Sequence, residues 1–142
     1  MTKHLPNATQ LLSAVRGFPS THGPVVAAAV ELGELHSERL KAHGDNFNRI
    51  DWRRAQLVLE IDRSVVLVAP VPFPNARIHT ETIGRVIDRI AELTSLAYVA
   101  LSAPSDLAYA DGCAQLEELA SAYQDLIDDI AAGTRRLPDY GR

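Results

Sequence analysis

Apolar residues recur at every third or fourth position over most of the chain, which is the spacing that places them on one face of an α-helix. The pattern predicts a short helix after Asn7, a favourable N-cap, and a second helix from Pro24 to about residue 44. A third helix is expected after Asp45. The segment 65–76 fits a helix end that frays into a stiff loop with three prolines.

Two further helices follow from the same periodicity. The fourth begins near Thr80 and ends at Pro104, and the fifth begins at Ser105 or Asp106 and stops at Gly133. Residues from about 134 onward are expected to form a loose tail. The sequence therefore predicts an all-α fold, an antiparallel helical bundle of four long helices plus a short N-terminal helix, as one domain over residues 1–142.

Composition restricts the partners and the compartment. The 142 residues carry 14 basic and 18 acidic side chains, a net charge of −4, which argues against nucleic-acid binding. No run approaches the roughly 18 apolar residues that span a bilayer, so we expect no membrane association. The single cysteine, Cys113, excludes an internal disulfide, and the polar N-terminus lacks a signal-peptide pattern. We expect a cytoplasmic protein.

The common sequence motifs of catalysis are missing. The chain has no glycine-rich phosphate loop, no paired-histidine zinc motif, no Glu-x-x-His pair and no nucleophile elbow. His79 and Glu81 are neighbouring candidate ligands for a metal ion. Together with His36 and Asp88 they would allow metal-assisted hydrolysis, which is one of the functional alternatives. However, two adjacent ligands without a second pair are weak evidence for a metal. We expect no cofactor and no metal site.

Two polar residues lie in the middle of apolar helix faces. His36 and Arg54 each have apolar neighbours four residues before and four residues after. A buried arginine needs a partner, and Asp51, Asp62 or a carboxylate from another helix are the candidates. Three interpretations stay open: a structural network that ties helices together, a ligand pocket in the bundle, or a dimer interface.

The fourth and fifth helices add further candidates. Glu81, Asp88 and Arg89 lie opposite the apolar stripe of the fourth helix, where spacing alone predicts a solvated face with ion pairs. Tyr123 lies on the inner face of the fifth helix, and we expect it to fill the core with its hydroxyl aimed at a partner.

Several short motifs resemble those of a bacterial all-helical domain family of unknown function, in its small actinobacterial branch. They are Glu34-Leu35-His36, Arg53-Arg54-Ala55, Glu60-Ile61-Asp62-Arg63 and the block from His79 to Arg89, HTETIGRVIDR. The resemblance implies a helical fold over the whole chain. It also implies that Glu81, Asp88 and Arg89 do more than form a solvated face. They would meet His36, Arg54 and Asp62 at one end of the bundle or across a dimer interface.

The leading functional hypothesis is a non-catalytic binding or assembly module that forms a homodimer, with Arg54, Asp88, Arg89 and Tyr123 as binding residues. The alternative is a small enzyme that acts on an anionic metabolite in a polar pocket between helices. There His36 would be the general acid or base, Asp62 or Glu81 its orienting partner, and Arg54 or Arg89 the anion clamp. The enzyme needs His36, Arg54 and Asp62 to converge in an accessible pocket, whereas sealed and mutually paired groups favour a structural role.

Overall fold

A computed structural model describes residues 5–101 and 106–139, and these residues form five α-helices and two short strands. The elements are α1 (Ala8–Val15), α2 (Pro24–Arg39), α3 (Asn46–Val68), β1 (Arg77–Ile78), α4 (Ile83–Ala100), α5 (Asp106–Ala132) and β2 (Arg135–Arg136). The all-α prediction is confirmed, while the antiparallel order of the bundle stays a prediction. None of the helices in the described ranges has the length and apolar character to cross a membrane.

Local signals explain most helix ends. The Asn7 side chain accepts a hydrogen bond from the Gln10 backbone, and the Gln10 side chain accepts one from the Asn7 backbone, which completes a capping box. The Thr82 hydroxyl accepts from the Arg85 backbone at the start of α4. Gly133 follows α5 with φ +79°, a backbone conformation that favours glycine.

Some predicted helix boundaries are displaced. α2 ends at Arg39, about four residues before the predicted end, and His43 lies exposed. α4 begins at Ile83, three residues after Thr80. α3 continues to Val68 before the proline loop, in line with the helical prediction for this segment. The predicted roles of Pro104 and Ser105 at helix ends fall outside the described residues.

One hydrophobic core receives side chains from all five helices. α4 lies centrally, since it packs against α1, α2, α3 and α5, whereas α5 packs mainly on α4. The helices cross closely at glycines. A Cβ on Gly33 would lie 2.2 Å from the Val15 carbonyl oxygen, and one on Gly84 would lie 2.4 Å from the Val58 carbonyl oxygen. These contacts bring α1 to α2 and α3 to α4 at backbone distance.

The C-terminal segment is more ordered than the sequence predicts. Instead of a loose tail from about 134, Arg135–Arg136 pairs in parallel with Arg77–Ile78. The His79 backbone N–H donates to the Arg136 carbonyl at 2.8 Å, and the Phe73 N–H donates to the Gly133 carbonyl at 2.9 Å. These bonds satisfy backbone groups that would otherwise need water, so the prediction of a loose tail is wrong for residues 135–136.

Candidate functional site

Three of the residues selected from the sequence meet where α2, α3 and α4 pack together. The Nε2 atom of His36 lies 2.7 Å from Oδ1 of Asp88. Arg54 donates to both oxygens of the same carboxylate, from Nε at 3.2 Å and from Nη2 at 2.7 Å. An ionised carboxylate only accepts hydrogen bonds, so Nε2 of His36 carries a hydrogen and donates a hydrogen bond to Asp88.

The cluster continues toward the surface through Asp51. Arg54 Nη1 donates to Asp51 Oδ1 at 2.9 Å, and Arg39 donates to both Asp51 oxygens at 2.8 and 3.1 Å. The Arg39 guanidinium also lies 5.1 Å from the centre of the Phe47 ring, within cation–π range. Arg54 therefore has two of the expected kinds of partner: Asp51 on its own helix and Asp88 on another. We call His36, Arg39, Asp51, Arg54 and Asp88 the charged network.

The charged network is paired within itself. The His36 side chain is almost fully buried, while the Arg54 and Asp88 side chains keep about a fifth of their surface exposed, at 20% and 18%. Its two guanidinium charges balance its two carboxylate charges. Such mutual pairing compensates the large cost of burying a charge and links three helices.

The environment of each aspartate favours its ionised form. Burial would raise the pKa of Asp88, but hydrogen bonds from His36 and Arg54, together with the charge of Arg54, outweigh burial and lower that pKa below 3.8. Hydrogen bonds from Arg39, and more weakly from Arg54, lower the pKa of Asp51 to about 2 despite some opposing desolvation. Both carboxylates are thus charged at neutral pH, which keeps the network intact.

Asp62 borders this network without joining its hydrogen bonds. It lines an open cleft of about 420 Å³ between α3 and α4, together with Asp51, Arg54, Arg85 and Asp88. Its Oδ1 atom accepts a hydrogen bond at 2.8 Å from the Gly84 backbone, in the first turn of α4. An acidic group at a helix N-terminus is stabilising, so Asp62 fixes the start of α4. His36 donates to Asp88, not to Asp62.

Glu81 and Arg89 pair with each other on the outside of α4. The Nδ1 atom of the neighbouring His79 ring lies 2.9 Å from the Glu81 carbonyl oxygen and 3.1 Å from the Glu81 backbone nitrogen, and this contact orders the turn before α4. Among the described residues, no hydrogen bond joins the Glu81 or Arg89 side chain to the charged network. Within residues 5–101 and 106–139, no group of three histidine, cysteine or carboxylate side chains could hold a metal ion.

Tyr123 lies away from the charged network, on α5. Its side chain is buried, and its hydroxyl donates to the carbonyl of the buried Pro6 at 2.7 Å. Gln124 reinforces the same junction, because its side chain accepts from the Ala8 backbone at 2.8 Å. α5 packs mainly on α4, whereas the charged network joins α4 to α2 and α3. The structure thus gives Tyr123 the core-filling position that its spacing predicts, with Pro6 as the partner of its hydroxyl.

A second notable surface lies where α4 ends and α5 begins. Large apolar side chains stand exposed there on both helices, with Tyr98 75% and Leu107 73% exposed. We call this surface the apolar patch, and its members are Leu96, Tyr98, Val99, Leu101, Leu107 and Tyr109. The two helices approach each other beneath it, since a Cβ on Gly112 would lie 3.6 Å from the Ala97 Cβ. Leu96 lies at its border, where it also lines a groove with Arg39, Leu40 and Glu92.

Sequence reasoning missed both Arg39 and the apolar patch. Arg39 follows His36 by three residues on the same helix face, which is its only sequence signal. The apolar patch has a clearer sequence signal, because residues 93–101 contain no charged side chain and are apolar around most of the helix. The helical spacing predicts that the apolar stripe of α4 faces the core here. In the structure the stripe is only partly buried by the other helices, and Leu101 at its end is exposed.

Comparison with protein-family models, with curated proteins and with solved structures found no match to this chain. The resemblance to the bacterial helical family therefore stays a prediction, carried by short motifs such as those that begin at Glu34, Arg53, Glu60 and His79.

Proposed function

We propose that this protein is a non-catalytic assembly module that forms a homodimer through the apolar patch. The observation that carries the proposal is the exposed apolar end of the α4–α5 pair. Residues 93–101 are apolar around most of the helix, which is typical of a buried helix, and yet Tyr98, Val99 and Leu101 face solvent.

The size of the patch supports a protein contact. Its six side chains expose roughly 600 Å², at the upper end of the largest apolar patch on an ordinary monomer and near the 800 Å² that each partner buries in a standard interface. The small residues Ala108 and Ala110, which are exposed beside the patch, add further area and allow close helix approach.

The charge of this region favours a second copy of the chain as the occupant. Residues 93–116 contain only two charged residues, Asp106 and Asp111, and no lysine or arginine. In a two-fold contact the same surface meets itself, so a segment with few charges limits the placing of like charges opposite each other. The neighbouring charges are Arg16 beside Tyr109, and Arg39 and Glu92 beside Leu96. Two helices from each copy would complete a four-helix arrangement at this end of the molecule.

The pairing of the candidate catalytic groups weighs against the enzyme alternative. His36 is buried under Asp88, Arg54 is held by two carboxylates, and Arg89 is paired with Glu81. An anion clamp needs arginine donors that are free to reach a ligand. The charged network is therefore better explained as a structural tie between α2, α3 and α4.

Cytoplasmic location and a bacterial, actinobacterial origin belong to the proposal in the same way. The first rests on the single cysteine, since proteins of oxidising compartments commonly use disulfides, and the second rests on the motif resemblance.

Light scattering coupled to size-exclusion chromatography tests the dimer. At micromolar concentration the wild type should elute with twice the 15.5 kDa chain mass. Leu107→Glu should elute as a monomer, because it places a charge in the patch. Leu67→Glu is the matched control, since Leu67 is 81% exposed on α3 outside the patch, and this variant should remain dimeric. A monomeric wild type, or loss of the dimer in both variants, would contradict the proposal.

A further inference from the structure

The short parallel ladder places two arginines side by side. The register pairs Arg77 of β1 with Arg135 of β2, and Ile78 with Arg136. Partnered residues on adjacent parallel strands point to the same face, and their backbones lie about 4.8 Å apart. Arg77 and Arg135 therefore share one face of the ladder, while Arg136 lies on the opposite face because side chains alternate along a strand.

These arginines lack the ion pairs that several other arginines of the chain form. Arg39, Arg53 and Arg54 each pair with a carboxylate, but Arg77 and Arg135 form no ion pair with any described residue. Like charges directly opposite each other on a ladder are destabilising. The ladder therefore sets side by side the backbones of two arginines that form no ion pair with a described residue.

A second observation concerns the Nε atom of Arg135. It is buried, and it has no hydrogen-bond partner among the described residues. A buried donor without an acceptor is costly and rare in native proteins. A water molecule or an acceptor atom of a ligand would satisfy it, after a small shift of the side chain that exposes the Nε hydrogen. The guanidinium edge that contains Nε is also one of the edges that binds oxyanions with two parallel hydrogen bonds.

We infer that Arg77 and Arg135 form a binding site for a phosphate dianion, either inorganic phosphate or the phosphate group of a small monoester. A phosphate group carries nearly two negative charges at neutral pH and three acceptor oxygens, so one group neutralises both arginines and can accept from Arg135 Nε. A single carboxylate carries one charge and leaves one arginine uncompensated. This site is separate from both the charged network and the apolar patch.

Calorimetric titration with inorganic phosphate at neutral pH and constant ionic strength tests the site. The wild type should bind one phosphate per chain, and an acetate titration should show at least tenfold weaker binding. Arg135→Gln and Arg77→Gln should each weaken phosphate binding by about ten- to a hundredfold, the equivalent of losing one charge-assisted contact. Glycerol phosphate, tested in the same way, distinguishes a site for monoesters from one for the free ion.

Arg136→Gln is the matched control, because it removes the same charge from the opposite face of the ladder and should leave the affinity within about twofold. The nitrogen–proton NMR signal of Arg135 Nε should shift on addition of phosphate, which reports the contact even in a variant of altered stability. The inference is overturned if phosphate binds no better than acetate or chloride. It is also overturned if Arg136→Gln weakens binding as much as Arg135→Gln, since binding would then follow net charge alone.

Discussion

Replacing Asp88 with alanine should destabilise the fold by about 3 kcal/mol, because this carboxylate joins α4 to α2 and α3. Asp88 accepts one hydrogen bond from His36 and two from Arg54. Without it, the His36 ring loses its partner inside the core, and the Arg54 guanidinium keeps only Asp51.

The magnitude follows from the burial of the groups left behind. Removing one partner of a fully buried ion pair costs about 3–5 kcal/mol, because the other charge remains unpaired. The Arg54 and Asp88 side chains retain 20% and 18% exposure, so the lower end of that range applies. In a chain of this length such a loss lowers the melting temperature by about 10 °C.

Urea unfolding followed by circular dichroism measures this loss directly. Glu81→Ala is the control, since it removes a carboxylate beside the start of α4 whose partner, Arg89, is largely exposed, and it should cost less than about 1 kcal/mol. Adding Arg54→Met to Asp88→Ala should restore about 1–3 kcal/mol relative to the sum of the single changes, because the unpaired charge is removed. An Asp88→Ala variant as stable as the Glu81→Ala control would refute the structural role of the charged network.

Three further predictions follow from the packing and the charges. Gly84→Ala should lower the free energy of unfolding, measured in urea, by about 1–3 kcal/mol, because the added methyl group would lie 2.4 Å from the Val58 carbonyl oxygen. Unchanged stability would show that α3 and α4 do not cross closely at this position. Tyr123→Phe should cost about 1–2 kcal/mol in thermal unfolding, since it leaves the buried Pro6 carbonyl without its donor, and a neutral effect would contradict that bond. The fold lowers the pKa of Asp51 from 3.8 to about 2, so the stabilising contribution of Asp51 is complete above about pH 4 and is lost as the pH falls toward 2. Acid titration of Asp51→Asn should therefore show a shallower loss of stability over this window than the wild type. Identical curves for the two proteins would argue against the pairing of Asp51 with the arginines.

The helices could be predicted from the sequence because their signals are local. Apolar periodicity marks each helix, Asn7 marks the start of α1, and Gly133 marks the end of α5 through its left-handed backbone. The length of α2 is overestimated because its end depends on the path of the chain and not on a local signal. Its apolar spacing continues past Arg39 to His43, but the chain leaves the helix before Gly44, which has φ +58°, and His43 lies exposed.

The site could be predicted only in part, because it depends on contacts between elements distant in the chain. Helical spacing identifies Arg54 as an inward-facing charge, but nothing local shows that Asp88, 34 residues away, is its partner. The strands β1 and β2 are two residues long and far apart in sequence, so neither has a recognisable period. The pairing of Glu81 with Arg89 likewise depends on the turn that sets Glu81 beside α4.

A distance measurement between two copies of the lone cysteine tests the proposed dimer most directly. Cys113 lies about 9 Å along α5 from Leu107, and packed helices lie about 10 Å apart, so spin labels on the two copies should be separated by about 30 Å or less. A single distance distribution in that range, lost in Leu107→Glu, is the predicted result. A distance near 50 Å, as expected for contact through the far end of α5, or no dipolar coupling at all, would contradict assembly through the apolar patch.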